Sequence, residues 1–249
     1  SKANSVLATA KQRAARVQEQ IDDYLTECQY HAELRKAIDD AARIGSAVIK
    51  GPFPVKRKYT AVKTNPATGE SAMVQEIKTR PASKRIDPWN FFPDPACGET
   101  IHDGAYTFER DFITEKKLAA LKGGEGPAAY FDDQIDACID EGPDKKNHSD
   151  TRLFVPNNEH SKRNVFEIWY CYVDMPAKEV EAAGIKLEDE RDSLPVIATM
   201  VNDRVIKLAL NPIEYGEFPY DVMPWRRKAG MPWGDGVGRQ GRVGQRIVT

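Results

Sequence analysis

The segment DPWNFFPDP at residues 87–95 constrains the fold of this chain more than any other. Proline fixes its own φ and disfavours helical geometry in the residue before it, so Asp87 and Asp94 are expected to be extended. Large aromatic rings need burial to contribute stability. The segment therefore predicts a stiff, extended corner that is held in a core by its three rings, with Trp89 and Phe92 largely buried.

A strand and a short helix are expected directly after this corner. Tyr106, Phe108 and Arg110 alternate with Thr107, Glu109 and Asp111 at the two-residue period of a strand. Thr114 is a candidate N-cap for a short helix that ends before a glycine pair at residues 123–124. The corner contains no plausible pair of nucleophile and base, so a structural role is expected for it.

The chain before the corner predicts two helices and a β-hairpin. Residues 3–45 carry apolar residues at helical spacing, with a break near Tyr30 and a C-cap at Gly45. Strand patterns then flank a turn at residues 65–69. The basic run Lys56–Lys58 is interpreted as a solvated edge strand rather than a DNA contact.

Composition excludes several classes of function. The 249 residues carry a net charge of −2, which argues against a surface that coats nucleic acid generally. No apolar run approaches the length of a membrane span. The four cysteines are far apart and are expected to be reduced, partly buried thiols. The four scattered histidines do not favour a zinc site, and no cofactor is expected.

The middle of the chain predicts an acidic helix, a loop and a mixed module. Residues 131–142 suit a short amphipathic helix, and residues 144–163 have the composition of a mobile loop. Residues 165–223 predict strands around one short helix, with a tight hairpin turn at Asn202–Asp203. The acidic tip of this module, Glu188, Asp189 and Glu190, is a candidate partner interface.

The C-terminal segment differs from the rest because residues 226–249 contain six basic residues and one acidic residue. From Val237 the spacing predicts a helix with small residues on one side and basic residues on the other. The small residues are Gly238, Gly241 and Gly244, and the basic residues are Arg239, Arg242 and Arg246. Gly236, Gly238 and Gly241 also match GxGxxG, but no apolar strand precedes them, so a dinucleotide site is not favoured.

Two blocks of this sequence resemble the portal proteins of tailed bacteriophages, which are head-to-tail connectors. The first block is DPWNFFPDP, followed by a strand that includes FER and by TEKKLAAL. The second is NPIEYGEFPYDVMPW with PWGDGVGRQGRVGQRIVT, similar to NPxxxGxxPf, a tryptophan–glycine step, a G-x-G turn and pxQrxxN. The resemblance covers residues 31–249 and is closest to podovirus-like portals. Thr249 departs from the asparagine of the pattern, and residues 234–236 are richer in glycine.

The resemblance implies an α+β fold and a structural role without catalysis. It assigns residues 1–125 to a wing-like region, 126–164 to a loop or incoming stem helix, 165–225 to a clip-like module and 226–249 to the start of a stem helix. The parts of a portal beyond this point are absent, so the chain is expected to be a fragment of a larger protein.

The resemblance also implies a homo-oligomeric ring of about twelve subunits in the virion, assembled in the host cytoplasm. The partners it implies are terminase, a tail adaptor protein, capsid and scaffolding proteins, and double-stranded DNA that passes through the channel; no membrane is implied. A generic phage assembly or adaptor subunit remains an alternative, because it would share the glycine-rich helix. A stand-alone nucleic-acid-binding module is less favoured, because only the C-terminal segment is basic.

Overall fold

The computed structural model describes residues 2–64, 71–124, 126, 128–143, 165–182, 192–213 and 217–248. They form an α+β protein of helices and antiparallel sheets, as the sequence predicts. The helices are α1 (Lys2–Glu27), α2 (Tyr30–Ile44), α3 (Glu115–Ala119), α4 (Asp132–Glu141), α5 (Ala177–Ala182) and α6 (Val237–Val248). The strands are β1 (Ser46–Thr64), β2 (Ser71–Ile86), β3 (Phe91–Pro93), β4 (Tyr106–Thr114), β5 (Val165–Pro176), β6 (Ser193–Val201), β7 (Arg204–Leu210) and β8 (Tyr220–Pro224).

Contacts divide the chain into two units. The first unit comprises Ser1–Ile86, Pro219–Arg226 and Trp233–Thr249, and the second comprises Asp87–Phe218 and Arg227–Pro232. Among the described residues, no helix has both the length and the apolarity that a membrane span requires.

The first unit contains α1, α2, α6 and a three-stranded sheet in the order β2-β1-β8. The predicted break between the first two helices is confirmed at residues 28–29. Gly45 is confirmed as the C-cap of α2, with φ of 111° and an N–H that donates to the Ala41 carbonyl. A small core forms where Ala37 and Ala41 of α2 pack against Ala47 and Ile49 of β1.

A partly buried ion pair holds α2 on the sheet. Two of the three guanidinium nitrogens of Arg85, Nε and Nη2, donate to the carboxylate of Asp40, which is buried. The backbone N–H of Arg85 donates to Glu33 Oε2 at 2.7 Å. Partial burial alone raises the pKa of the Glu33 carboxyl. The hydrogen bonds and positive charges of Lys36 and Arg85 outweigh this effect, so the pKa lies below its ordinary value. Two acids of α2 therefore hold the end of β2.

The second unit contains a five-stranded antiparallel sheet in the order β3-β4-β5-β6-β7. Helices α3 and α4 cover one face of this sheet and bury Leu118 and Ile135 against Phe166 and Ile168. Asn202 and Asp203 have φ of 48° and 60°, the left-handed conformation that a tight hairpin turn requires. The predicted β6–β7 hairpin is confirmed.

The other predicted elements of this unit are confirmed with small differences. Thr114 precedes α3 but its side chain makes no cap hydrogen bond, and α3 ends at Ala119, before the glycine pair. Gly142 follows α4 with φ of 74° and ends it as predicted. The predicted loop at residues 144–163 and the predicted turn at residues 65–69 lie outside the described residues.

The proline–aromatic corner is extended at Asp87 and along β3, as predicted, but Pro88–Asn90 form a 3-10 turn, and the burial predicted for two of its rings is wrong. Trp89 is 55% exposed and Phe92 is 40% exposed, whereas Phe91 is only 2% exposed. A 3-10 turn at Pro88–Asn90 places Trp89 at the surface. Side chains alternate along β3, so burying Phe91 turns Phe92 to the opposite face. There Phe92 packs on Trp169, with ring centroids 5.6 Å apart.

The Asp94 carboxylate closes the loop that follows the corner. Its two oxygens accept hydrogen bonds from the backbone N–H groups of Ala96 (2.8 Å) and Ala105 (2.9 Å). These two amides favour the charged carboxylate and hold its pKa below the ordinary value for aspartate. The Asp94 N–H also donates to the Tyr106 carbonyl, which links the corner to β4.

We expect Phe91→Ala to lower the free energy of unfolding by about 3–5 kcal/mol, because it leaves a cavity at a fully buried ring. Trp89→Ala removes a half-exposed ring from the same segment and is expected to cost about 1–2 kcal/mol. Urea unfolding of the two variants measures both values. Equal losses would contradict the assignment of Phe91 as the buried anchor.

Candidate assembly site at the C-terminal helix

The helix predicted from Val237 is present as α6, and it begins directly after Gly236. Gly238, Arg239, Gly241 and Arg242 are all exposed on it. Gly244 and Arg246 also belong to α6 by their backbone. The segment that precedes α6 is irregular rather than a parallel strand, so the GxGxxG match lacks the context of a dinucleotide site.

The start of α6 is determined by a close approach of two glycine-containing backbones, one at the end of α2 and the other at residues 234–236. A Cβ atom on Gly45 would lie 2.6 Å from the Gly236 nitrogen, and one on Gly236 would lie 2.8 Å from the Arg43 carbonyl oxygen. Neither position has room for a side chain. We call this contact, made by Gly45, Gly234 and Gly236, the glycine contact.

Three hydrogen bonds hold the glycine contact in register. The Gly234 N–H donates to Ser46 Oγ at 2.8 Å, across 188 residues of sequence. The Trp225 N–H donates to the Gly45 carbonyl at 2.9 Å, and the Asp235 N–H donates to the Arg226 carbonyl at 2.9 Å. Ser46 is buried, so this hydroxyl bond is shielded from water. Residues 225–226 and 234–236 are therefore attached to the end of α2 and the start of β1.

The exposed glycines of α6 are not required by packing within the described chain. A Cβ atom on Gly238 or Gly241 would meet nothing within 4 Å. Glycine inside a helix costs about 1 kcal/mol relative to alanine, so these two positions weaken α6 without an intramolecular gain. The structure leaves free space along the part of α6 where the sequence predicts close packing.

The basic side of α6 is partly neutralised at its first turn. Arg239 Nη1 lies 3.1 Å from Asp235 Oδ1, and the Arg239 side chain remains 69% exposed. A surface ion pair of this kind contributes at most about 1 kcal/mol and leaves the guanidinium accessible to an anionic partner. Arg242, three residues further along the helix, is also exposed. The two arginines therefore present positive charge at the surface of α6.

The other predicted interface cannot be located in this structure. Glu188, Asp189 and Glu190, the acidic tip, lie outside the described residues. The nearest described elements are α5 and β6, where Val180 and Val196 pack in a small buried cluster. The interface predicted at the tip stays a prediction.

Three of the four cysteines, Cys97, Cys138 and Cys171, are poorly suited to nucleophilic chemistry. All four are free; Cys28, Cys97 and Cys138 are buried and Cys171 is half-buried, which agrees with the predicted burial. Burial raises the pKa of the Cys171 thiol to about 11, and it also raises the pKa values of Cys97 and Cys138. A thiol with a raised pKa is protonated at neutral pH and is a poor nucleophile. In the described part of the chain, no three or more His, Cys, Asp or Glu residues are grouped to hold a metal ion.

Comparison with known proteins adds no assignment. The sequence matches no protein-family model, and no curated protein matches it. The candidate site therefore depends on the geometry of α6 and the glycine contact.

We expect Gly45→Ala to lower the free energy of unfolding through two effects. A left-handed backbone costs alanine about 1–2 kcal/mol, and crowding against Gly236 adds about 1–3 kcal/mol. Gly230→Ala is the matched control, since Gly230 has φ of 73° but a Cβ atom there would meet nothing within 4 Å. Denaturant unfolding should show the larger loss for Gly45→Ala; equal losses would contradict the close contact.

Proposed function

We propose that this chain is part of a podovirus-like portal subunit, in which α6 is the start of the stem helix that lines the DNA channel. The observation that carries this proposal has two parts: the glycine contact holds the segment before α6, and α6 itself exposes glycines and arginines. The glycine contact fixes the first turn of α6, and Gly238 and Gly241 then leave room for a neighbour. Both sequence blocks that resemble portals contain regular secondary structure among their described residues.

The exposed glycines support packing between subunits. Helices approach closely where small residues line the contact, and the gain from close packing offsets the low helix propensity of glycine. Because nothing in the described chain fills the space at Gly238 and Gly241, the helix of an adjacent subunit is the proposed occupant. A ring of identical subunits repeats this contact around the channel.

The exposed arginines support contact with DNA that passes through the channel. Arginine binds phosphate oxygens without reading bases, so such contacts are independent of sequence and weaken as salt increases. A channel also needs contacts weak enough for DNA to slide. The Asp235 carboxylate beside Arg239 reduces its attraction for phosphate and serves that requirement.

The remaining assignments follow from the same proposal. The helices and hairpin before residue 125 form the wing, residues 165–225 form the clip that contacts terminase and later the tail adaptor, and capsid and scaffolding proteins surround the ring in the assembling virion. The subunit itself has no catalytic step, since translocation is driven by the terminase motor. A generic assembly or adaptor subunit remains the alternative, and ring formation, seen in electron micrographs of a longer chain, is the observation that discriminates between the two.

We expect Gly241→Leu to abolish ring assembly in the longer chain, because the leucine occupies the space proposed for the neighbouring helix. The fold of the subunit should survive, since a Cβ atom on Gly241 would meet nothing within 4 Å beyond its own helix backbone. Gly142→Ala is the control for a glycine that belongs to the other unit, and it should assemble normally. Circular dichroism and electron micrographs measure fold and assembly; normal rings from Gly241→Leu would contradict the packing.

We expect Arg242→Ala to assemble normally and to change DNA packaging or genome retention, with the largest effect at low salt. The physical reason is the loss of one exposed positive charge on the surface proposed to face DNA. Packaging assays with the variant at several salt concentrations measure the effect. If Arg242→Ala packages DNA as the wild type does at every salt concentration, α6 does not present this arginine to the channel.

A further inference from the structure

Helix α1 carries an apolar row that the described chain leaves exposed. Val17, Ile21 and Tyr24 follow one another at intervals of four and three residues, so they lie on one stripe of the helix. About half of the surface of each of these side chains is accessible, with Ile21 at 51%. The exposed row spans about 10 Å along the helix axis, at 1.5 Å per residue.

The outer half of the β1–β2 hairpin carries a second exposed apolar row. β8 pairs with β1 only from Ser46 to Lys50, so beyond that point the hairpin has two strands. Val62 pairs with Met73, and Ile77 lies four residues further along β2, which places all three on one face. Met73 is 81% exposed. Two-stranded ribbons are marginally stable in water, so this face gains from being covered.

The two segments that carry these rows, the C-terminal part of α1 and the hairpin, differ in net charge. Residues 17–27 of α1 contain four acidic residues and no basic residue. The hairpin, residues 46–86, contains nine basic residues and two acidic ones. Within the chain, one acidic residue of α1 already forms an ion pair with a basic residue of the hairpin, namely Glu27 with Arg80 of β2. Arg80 lies on the opposite face of the ribbon from Ile77, so that internal pair leaves the apolar hairpin face uncovered.

We propose that in adjacent copies of the chain the α1 row of one copy packs on the hairpin face of the next. This inference rests on the proposed ring function and names one contact that builds the ring. Two different surfaces of the same chain make a head-to-tail contact, and such a contact closes into a ring when the rotation between copies allows it. The two rows are similar in length: Met73 to Ile77 spans about 14 Å at 3.4 Å per residue, and the row on α1 spans about 10 Å.

Two surface variants of the full chain test this contact. The helix variant is Ile21→Ser with Tyr24→Ser, and the hairpin variant is Met73→Ser with Ile77→Ser. Leu210→Ser is the control, since Leu210 is a comparably exposed aliphatic residue on β7 of the other unit. Sedimentation equilibrium measures self-association of each protein alone and of the two variants mixed in equal amounts, and circular dichroism verifies folding.

We expect each variant alone to associate at least about tenfold more weakly than the wild type and the control, since each loses two buried apolar side chains from the contact. The mixture should form heterodimers and nothing larger, because the helix variant keeps an intact hairpin and the hairpin variant keeps an intact helix. Self-association of the hairpin variant at the wild-type level would overturn the proposal and indicate pairing of α1 with α1. A wild-type chain that stays monomeric at about 100 μM would also overturn it.

Electron micrographs separate this contact from the proposed function. Closed rings from both variants would overturn the contact and leave the portal proposal standing. If the mixed variants form heterodimers and nothing larger, and the wild type forms open chains instead of closed rings, the contact is supported and the portal proposal is overturned.

Discussion

The backbone contact between Gly45 and residues 234–236 is the constraint on which the first unit depends. It joins the end of α2, the start of β1 and the segment that leads into α6, and its distances leave no room for a Cβ atom. Its register is determined by the Ser46 hydroxyl, which accepts from the Gly234 N–H, and by the Gly45 carbonyl, which accepts from the Trp225 N–H. β8 can pair with β1, and α6 can begin where it does, because these backbones meet.

Local features of this unit can be predicted from the sequence because they depend on short-range chemistry. The apolar spacing of α2 and the left-handed preference of glycine identify the helix and its end at Gly45. The same reasoning identifies a helix from Val237. It cannot identify the partner of Gly45, because a glycine that ends a helix and a glycine that touches a distant backbone have the same local pattern. The pairing of residues 188 positions apart is decided by tertiary packing.

The proline–aromatic corner shows a second limit. The number of aromatic rings in the corner predicts that they are buried. Successive side chains of a strand point to opposite faces, however, so only one of two consecutive phenylalanines can enter the core. Phe91 takes that place, and Phe92 packs on the open face beside Trp169. The exposed rows on α1 and on the hairpin also have an apolar pattern without the burial that such a pattern predicts. Their apolar spacing predicts packing, and within the described residues that packing is incomplete, which is why we assign it to another copy.

Amide hydrogen exchange at the glycine contact tests the central claim most directly. Gly234 and Asp235 lie in a segment without regular secondary structure, where unprotected amides exchange rapidly. If their N–H groups are bonded to Ser46 Oγ and the Arg226 carbonyl, both should be strongly protected in the wild type, and Ser46→Ala should remove protection at Gly234. Exchange of both amides at the rate of an unstructured peptide would contradict the contact and the placement of α6 that follows from it.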